Sequence, residues 1–106
     1  MNRKIQLIEP EHFAKTRVKL MNHHQFDVFK DYLIRHPENG VLVKGTGGCR
    51  KMRWRYQHCG KTGGIRVVYY YARQTIHLMF IYVKNRQKEL TMKERQECRA
   101  IVKQLG

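Results

Sequence analysis

Two apolar stretches separated by four residues, 65–71 and 76–83, constrain this chain more than anything else in it. The first, Ile65-Arg66-Val67-Val68-Tyr69-Tyr70-Tyr71, is rich in β-branched and aromatic side chains, which fit a pleated surface better than a helix. As a strand it places Ile65, Val67, Tyr69 and Tyr71 on one face and Arg66, Val68 and Tyr70 on the other. The second stretch is almost unbroken apolar sequence and reads as a strand covered on both sides. Upstream, from Arg50, the chain alternates Met52, Trp54 and Tyr56 with Lys51, Arg53 and Arg55. That is a strand with one buried face and one wet, cationic face. Short turns at Gly60-Lys61-Thr62-Gly63-Gly64 and at 72–75 join the three into an antiparallel meander.

Helical signals flank this meander. Ile5 and Leu7 alternate with polar neighbours as in a short strand, and Pro10 opens a short helix running from Phe13 to Leu20. Asn22 with Gln25 three residues on is a capping box, in which each residue's side chain bonds the other's backbone N–H. Phe26, Phe29 and Leu33, with Tyr32 beside them, then carry an amphipathic helix that ends before Pro37. Glu38-Asn39-Gly40 turns the chain, 41–43 form a short strand, and Gly45-Thr46-Gly47-Gly48 is a loop suited to positive φ. Thr91 and Glu94 make a second capping box, followed by Cys98, Ile101, Val102 and Leu105 at helical spacing. The expected architecture is α+β in two layers, an antiparallel sheet of about four strands with two N-terminal helices and one C-terminal helix. Its 106 residues form a single domain, 1–106, which argues against a two-domain enzyme with a cleft between halves.

Charge narrows the function. The chain carries 22 Lys and Arg against 8 Asp and Glu, a formal charge of +14 that folding does not require. Every acid lies outside the fifty residues 39–88, which hold eleven bases. Solubility is served by mixed signs and gives no reason to exclude carboxylates from half a sequence, so a polyanionic partner is expected. No run of about 18 apolar residues provides a membrane span, and Met1-Asn2-Arg3-Lys4 lacks the apolar core of a signal peptide. Cys49, Cys59 and Cys98 are odd in number and widely spaced, as free thiols of a reducing cytoplasm are.

Several chemistries lack their residues. Gly60-Lys61-Thr62 resembles the end of a phosphate-binding P-loop, but Arg55 stands where that motif needs glycine and a strand follows it. His58 and Cys59 have no partner at zinc spacing, so no metal or cofactor is implied. Cys98 lies on the apolar stripe of the last helix and reads, like Cys49, as a packing thiol. His23 and His24 precede a helix and read as exposed, while His77 reads as an interior histidine.

What remains is Lys51, Arg53, Arg55, Arg66 and Lys84, from three neighbouring strands, with Tyr70 and Tyr82 as hydroxyl-bearing aromatics. Arginine binds phosphate bidentately and tyrosine stacks on bases, so this face suits RNA. Lys44, Arg50, Lys61, Arg73 and Arg86 extend the cationic surface. The same cations would stabilise a phosphorane formed when an RNA 2′-hydroxyl attacks its own 3′-phosphate, a route needing neither metal nor protein nucleophile. With no carboxylate nearby, Lys51 or Lys84 is the candidate base, since surrounding positive charge favours a neutral amine. The alternative is a non-catalytic RNA- or ribosome-binding module. A DNA-binding protein ranks last, for want of a recognition helix.

Three blocks, 45–53 (Gly-Thr-Gly-Gly-Cys-Arg-Lys-Met-Arg), 60–70 (Gly-Lys-Thr-Gly-Gly-Ile-Arg-Val-Val-Tyr-Tyr) and 81–85 (Ile-Tyr-Val-Lys-Asn), resemble in order the HigB-type branch of the RelE toxins, within the RelE/ParE superfamily. The resemblance implies the RelE-like fold and a ribosome-dependent mRNA endonuclease that acts in the decoding A site of the small ribosomal subunit. It also implies a helix-turn-helix antitoxin partner, with operator DNA reached only through the toxin–antitoxin complex. By motif, Lys51, Arg53 and Arg66 match the family's phosphate-activating positions, and Lys84 a basic position after the last strand. Cys49 replaces a usual aliphatic residue, Thr62 a serine or basic one, and Arg86 a frequent glutamate. The family's functional C-terminal tyrosine has no clear counterpart, and Tyr82 stands in for it.

Overall fold

The computed structural model describes residues 4–54, 64–84 and 86–106. Its elements follow in the order β1 (Gln6–Ile8), α1 (Glu11–Leu20), α2 (His23–Arg35), β2 (Val41–Leu42), β3 (Arg50–Trp54), β4 (Ile65–Ala72), β5 (Thr75–Val83) and α3 (Met92–Leu105). Both capping boxes form. Asn22 and Gln25 exchange two 2.8 Å hydrogen bonds at the start of α2, and Thr91 and Glu94 do the same at 3.0 and 3.1 Å for α3. No helix among the described residues is long and apolar enough to cross a membrane.

The sheet has five strands in the order β1-β5-β4-β3-β2. β2, β3, β4 and β5 pair antiparallel, as the meander requires, whereas β1 joins the far edge parallel to β5, with Leu7 opposite Ile76. The α+β class and the helix count are those expected. The helices, however, divide between the two faces. Phe13, Phe26, Phe29 and Leu33 of α1 and α2 pack with Ile65, Val67 and Tyr69, while Cys98, Ile101 and Val102 of α3 pack with Val68, Met79 and Tyr82. The two-sided burial read from 76–83 is the sequence signal of this third layer. A bulge sharpens it, because Val68 pairs with Phe80 and Tyr69 with Leu78, leaving Met79 as the extra residue on β5.

Three side chains fix how β3 sits. Tyr69, completely buried, donates its hydroxyl to the Pro37 carbonyl at 2.8 Å and accepts from the Gly40 N–H at 3.0 Å. Arg50, opposite it in register, donates to the Glu38 and Gly40 carbonyls at 3.0 and 2.9 Å. Thr46, also buried, donates to the Val43 carbonyl at 2.7 Å and accepts from the Cys49 N–H at 3.0 Å, closing the loop in which Gly45, Gly47 and Gly48 all take positive φ. Arg95 of α3 donates to the Lys44 carbonyl at 2.8 Å, and the buried Cys98 and Cys49 belong to one packed cluster. Loop, strand and helix are thereby one packed unit.

The β4–β5 hairpin turns at Arg73 and Gln74, with φ of 53° and 61° and Ala72 paired to Thr75. A two-residue turn with both φ positive favours Asn-Gly. The double substitution Arg73→Asn, Gln74→Gly is therefore expected to raise stability by about 1 kcal/mol, read as a higher urea midpoint at unchanged slope.

Candidate functional site

The register gathers the cations. Arg53 of β3 stands directly opposite Arg66 of β4, and Arg66 directly opposite Tyr82 of β5. Residues opposed across a ladder share a face, so the three form one row across the sheet, with Lys51 in the next row opposite Val68. This is the face on which α3 packs. Lys84, one residue past β5, continues the alternation of Tyr82 and has its N–H on the Gly64 carbonyl at 3.2 Å. Four of the five expected catalytic residues thus lie on neighbouring strand positions, and the fifth at the strand's end.

Their environments differ. Arg53 and Lys84 are exposed, Lys51 is half-buried, and Arg66 and Tyr82 are each only 7 % exposed. Like charges directly opposite each other on a ladder destabilise it, and a guanidinium as buried as Arg66 adds a desolvation cost. Among the described residues the Tyr82 hydroxyl is a buried polar atom without a hydrogen-bond partner. Burial raises its pKa, outweighing the opposite pull of Arg66, so at neutral pH it carries its proton and acts as a donor.

An open cleft of about 350 Å³ runs along the outer edge of β3, where β2 pairs only with Arg50 and Lys51. Lys51, Arg53 and Arg66 line it from one side and Tyr32, Asn39 and Trp54 from the other. Asn39 donates its amide to the Tyr32 hydroxyl at 2.9 Å, and the Tyr32 and Trp54 rings lie 5.4 Å apart. Sequence reasoning missed these three, since Tyr32 and Trp54 read as core aromatics and Asn39 as a turn residue. Only the packing of α2 against β3 brings them beside the cations.

Other expected binding residues fall elsewhere. The Arg50 guanidinium is committed to the Glu38 and Gly40 carbonyls and is a structural clamp. Arg73 lies at the opposite end of β4, seven residues or roughly 23 Å along the strand from Arg66, where it donates to the Gly106 carbonyl. It is far from the row because the extended strand β4 runs between the two residues. Tyr70 is half-buried against His77, ring centroids 6.3 Å apart, and Lys44 and Arg86 are exposed at the rim. Arg55 and Lys61 lie outside the described residues, as do Tyr56, His58 and Cys59. Among the described residues no group of three or more His, Cys, Asp or Glu is placed to hold a metal ion.

Tyr69 and Tyr82 make stability pH-dependent. Burial is the main cause that raises both phenols above their ordinary 10.0. A folded state that holds its proton more tightly is fully stable below pH 10 and loses stability as pH rises past it, where only the unfolded chain ionises freely. Urea midpoints should fall steeply above pH 10, and less steeply in Tyr82→Phe.

No family model matches the chain. Its fold is similar to that of a double arginine-to-alanine mutant of the E. coli toxin RelE solved in the free state, with a TM-score of 0.58 at 16 % identity over 81 % of this chain and 90 % of that one. The fold is RelE-like.

Proposed function

We propose that the chain is the toxin of a type II toxin–antitoxin system, of the HigB-type branch of the RelE toxins. It is a cytoplasmic, ribosome-dependent endoribonuclease that cuts messenger RNA in the ribosomal decoding A site and so inhibits translation. The row Arg53–Arg66–Tyr82, with Lys51 beside it, carries this reading, because two guanidiniums, a phenol hydroxyl and an ammonium at adjacent positions of one sheet face are the donor set that grips a phosphate. The likeness of the fold to a RelE toxin supports it.

In this reaction Arg53 and Arg66 hold the scissile phosphate and stabilise the charge that grows on its oxygens as the 2′-hydroxyl attacks. Strand register sets the two arginines opposite each other before substrate arrives. Tyr82, beside Arg66 and protonated, supplies a further donor. Lys51 accepts the 2′-hydroxyl proton, and Lys84 returns a proton to the departing 5′-oxygen, leaving a 2′,3′-cyclic phosphate and a 5′-hydroxyl. This route needs neither a metal nor a protein nucleophile. Lys44, Arg86, Arg55, Lys61 and Tyr70 add RNA or ribosome contacts, and a helix-turn-helix antitoxin that masks the face would silence the protein.

Cleavage of message on programmed ribosomes by the purified protein tests this, with free RNA and a Lys51→Ala, Arg66→Ala double variant as controls. Ribosome-dependent, EDTA-resistant cleavage that leaves a cyclic phosphate and vanishes in the variant is expected. Intact message with ribosome binding retained would overturn the enzyme in favour of a binding module.

A further inference from the structure

We infer that the α2 side of the cleft is a nucleobase subsite, in which Trp54 and Tyr32 stack against the base of the nucleotide whose phosphate lies on Lys51, Arg53 and Arg66. The inference deepens the RNA reading above and rests on it. One cleft presents cations on one wall and aromatic rings with an amide on the other, the two chemistries that a nucleotide joins in one molecule.

The rings are positioned rather than loose. Phe29, completely buried, meets Trp54 at 5.2 Å and 74°, which holds the indole from the core side. The His36 and Trp54 rings lie 4.6 and 5.4 Å from the Tyr32 ring, both tilted to it, and these contacts position the tyrosine. Both Tyr32 and Trp54 are half-buried, which leaves part of each ring to the cleft. Asn39 is exposed and has one amide hydrogen on the Tyr32 hydroxyl, leaving its carbonyl oxygen and second hydrogen for a base edge. Among the described residues the edge of β3 from Met52 to Trp54 has no outer strand, so its outward main-chain groups face the same cleft.

The chain has one tryptophan, so its fluorescence reports on Trp54 alone. The full-length protein is titrated with adenosine and uridine 3′-monophosphates, with ribose 5-phosphate, and with inorganic phosphate, following emission together with calorimetry. The nucleotides should quench the tryptophan and bind roughly five- to a hundredfold more tightly than ribose 5-phosphate, the range that base stacking supplies. Tyr32→Leu should remove most of that difference while leaving sugar-phosphate affinity unchanged. Asn39→Ala, at an exposed position, should reduce it in the same sense. Lys51→Ala should weaken all four ligands alike. Equal affinity for nucleotide and ribose phosphate with unquenched emission would overturn the base subsite and leave the phosphate site standing. Failure of every ligand to bind, with Lys51→Ala indistinguishable from the parent, would overturn the subsite together with the RNA reading on which it rests.

Discussion

Replacing Arg66 by alanine is expected to slow message cleavage on ribosomes by about a hundred- to a thousandfold, the usual loss when one preorganised donor to a developing oxyanion is removed. Arg66 has the strongest claim among the cations because it is central. It faces Arg53 on one side and Tyr82 on the other, it is 7 % exposed, and it reaches the same cleft as Lys51. In such a desolvated position a charge acts on a phosphate with less screening than Arg53 or Lys84 can exert from the exposed rim. Arg53→Ala should therefore cost less, and its cost should grow at low salt. Because both arginines grip one phosphate, the double variant should lose less than the sum of the two single losses in free energy. Ribosome binding by Arg66→Ala should persist, since many cations share that task. Full cleavage by this variant, with its thermal midpoint intact, would remove Arg66 from the mechanism.

The second large effect is on folding. Tyr69→Ala should destabilise the chain by about 5 kcal/mol, combining the loss of a fully buried aromatic ring with two orphaned hydrogen-bond partners. A domain of this size holds only about 5–15 kcal/mol, so most of its stability would be gone. Tyr69→Phe isolates the hydroxyl and should cost about 1–3 kcal/mol, because the Pro37 carbonyl and Gly40 N–H would lose their buried partner. With Tyr69 in place, no larger residue fits at Gly40. A Cβ there would stand 2.6 Å from the Tyr69 hydroxyl and 2.9 Å from the Arg50 Cβ. Urea unfolding of the two tyrosine variants measures both effects. If Tyr69→Phe matched the parent, the hydroxyl would not be what holds the turn between α2 and β2.

That turn explains a difference between sequence and structure. From residue types alone, Arg50 belongs with Lys51 and Arg53 as one more cation of a binding face. Alternation along the strand instead sends Arg50 to the α2 side, where it meets two carbonyls of the turn, while Lys51 and Arg53 point to the α3 side or its edge. Arg73 separates from the site for a different reason, the length of the extended strand between it and Arg66. The gathering of Lys51, Arg53 and Arg66 on neighbouring strands was legible in the sequence, and the departure of Arg50 and Arg73 from that group was not.

The sequence by itself determined the pieces. Capping boxes, the apolar spacing of α2 and α3, the two-residue period of β3 and the paired β runs are all interactions within a few residues, so they can be read without the rest of the chain. The carboxylate-free middle is likewise a property of the sequence alone, and it is the ground for expecting a polyanionic partner. Tertiary structure decided what contacts distant residues. It set β1 parallel to β5 across some seventy positions of chain, with Gln6 opposite Thr75, and it put α3 on the face opposite α1 and α2. It also brought Tyr32 and Asn39 to the edge that carries Lys51 and Arg53. The reason is that local signals fix an element's type and its buried face, whereas the neighbour that covers that face is chosen only when loops close and competing packings are compared.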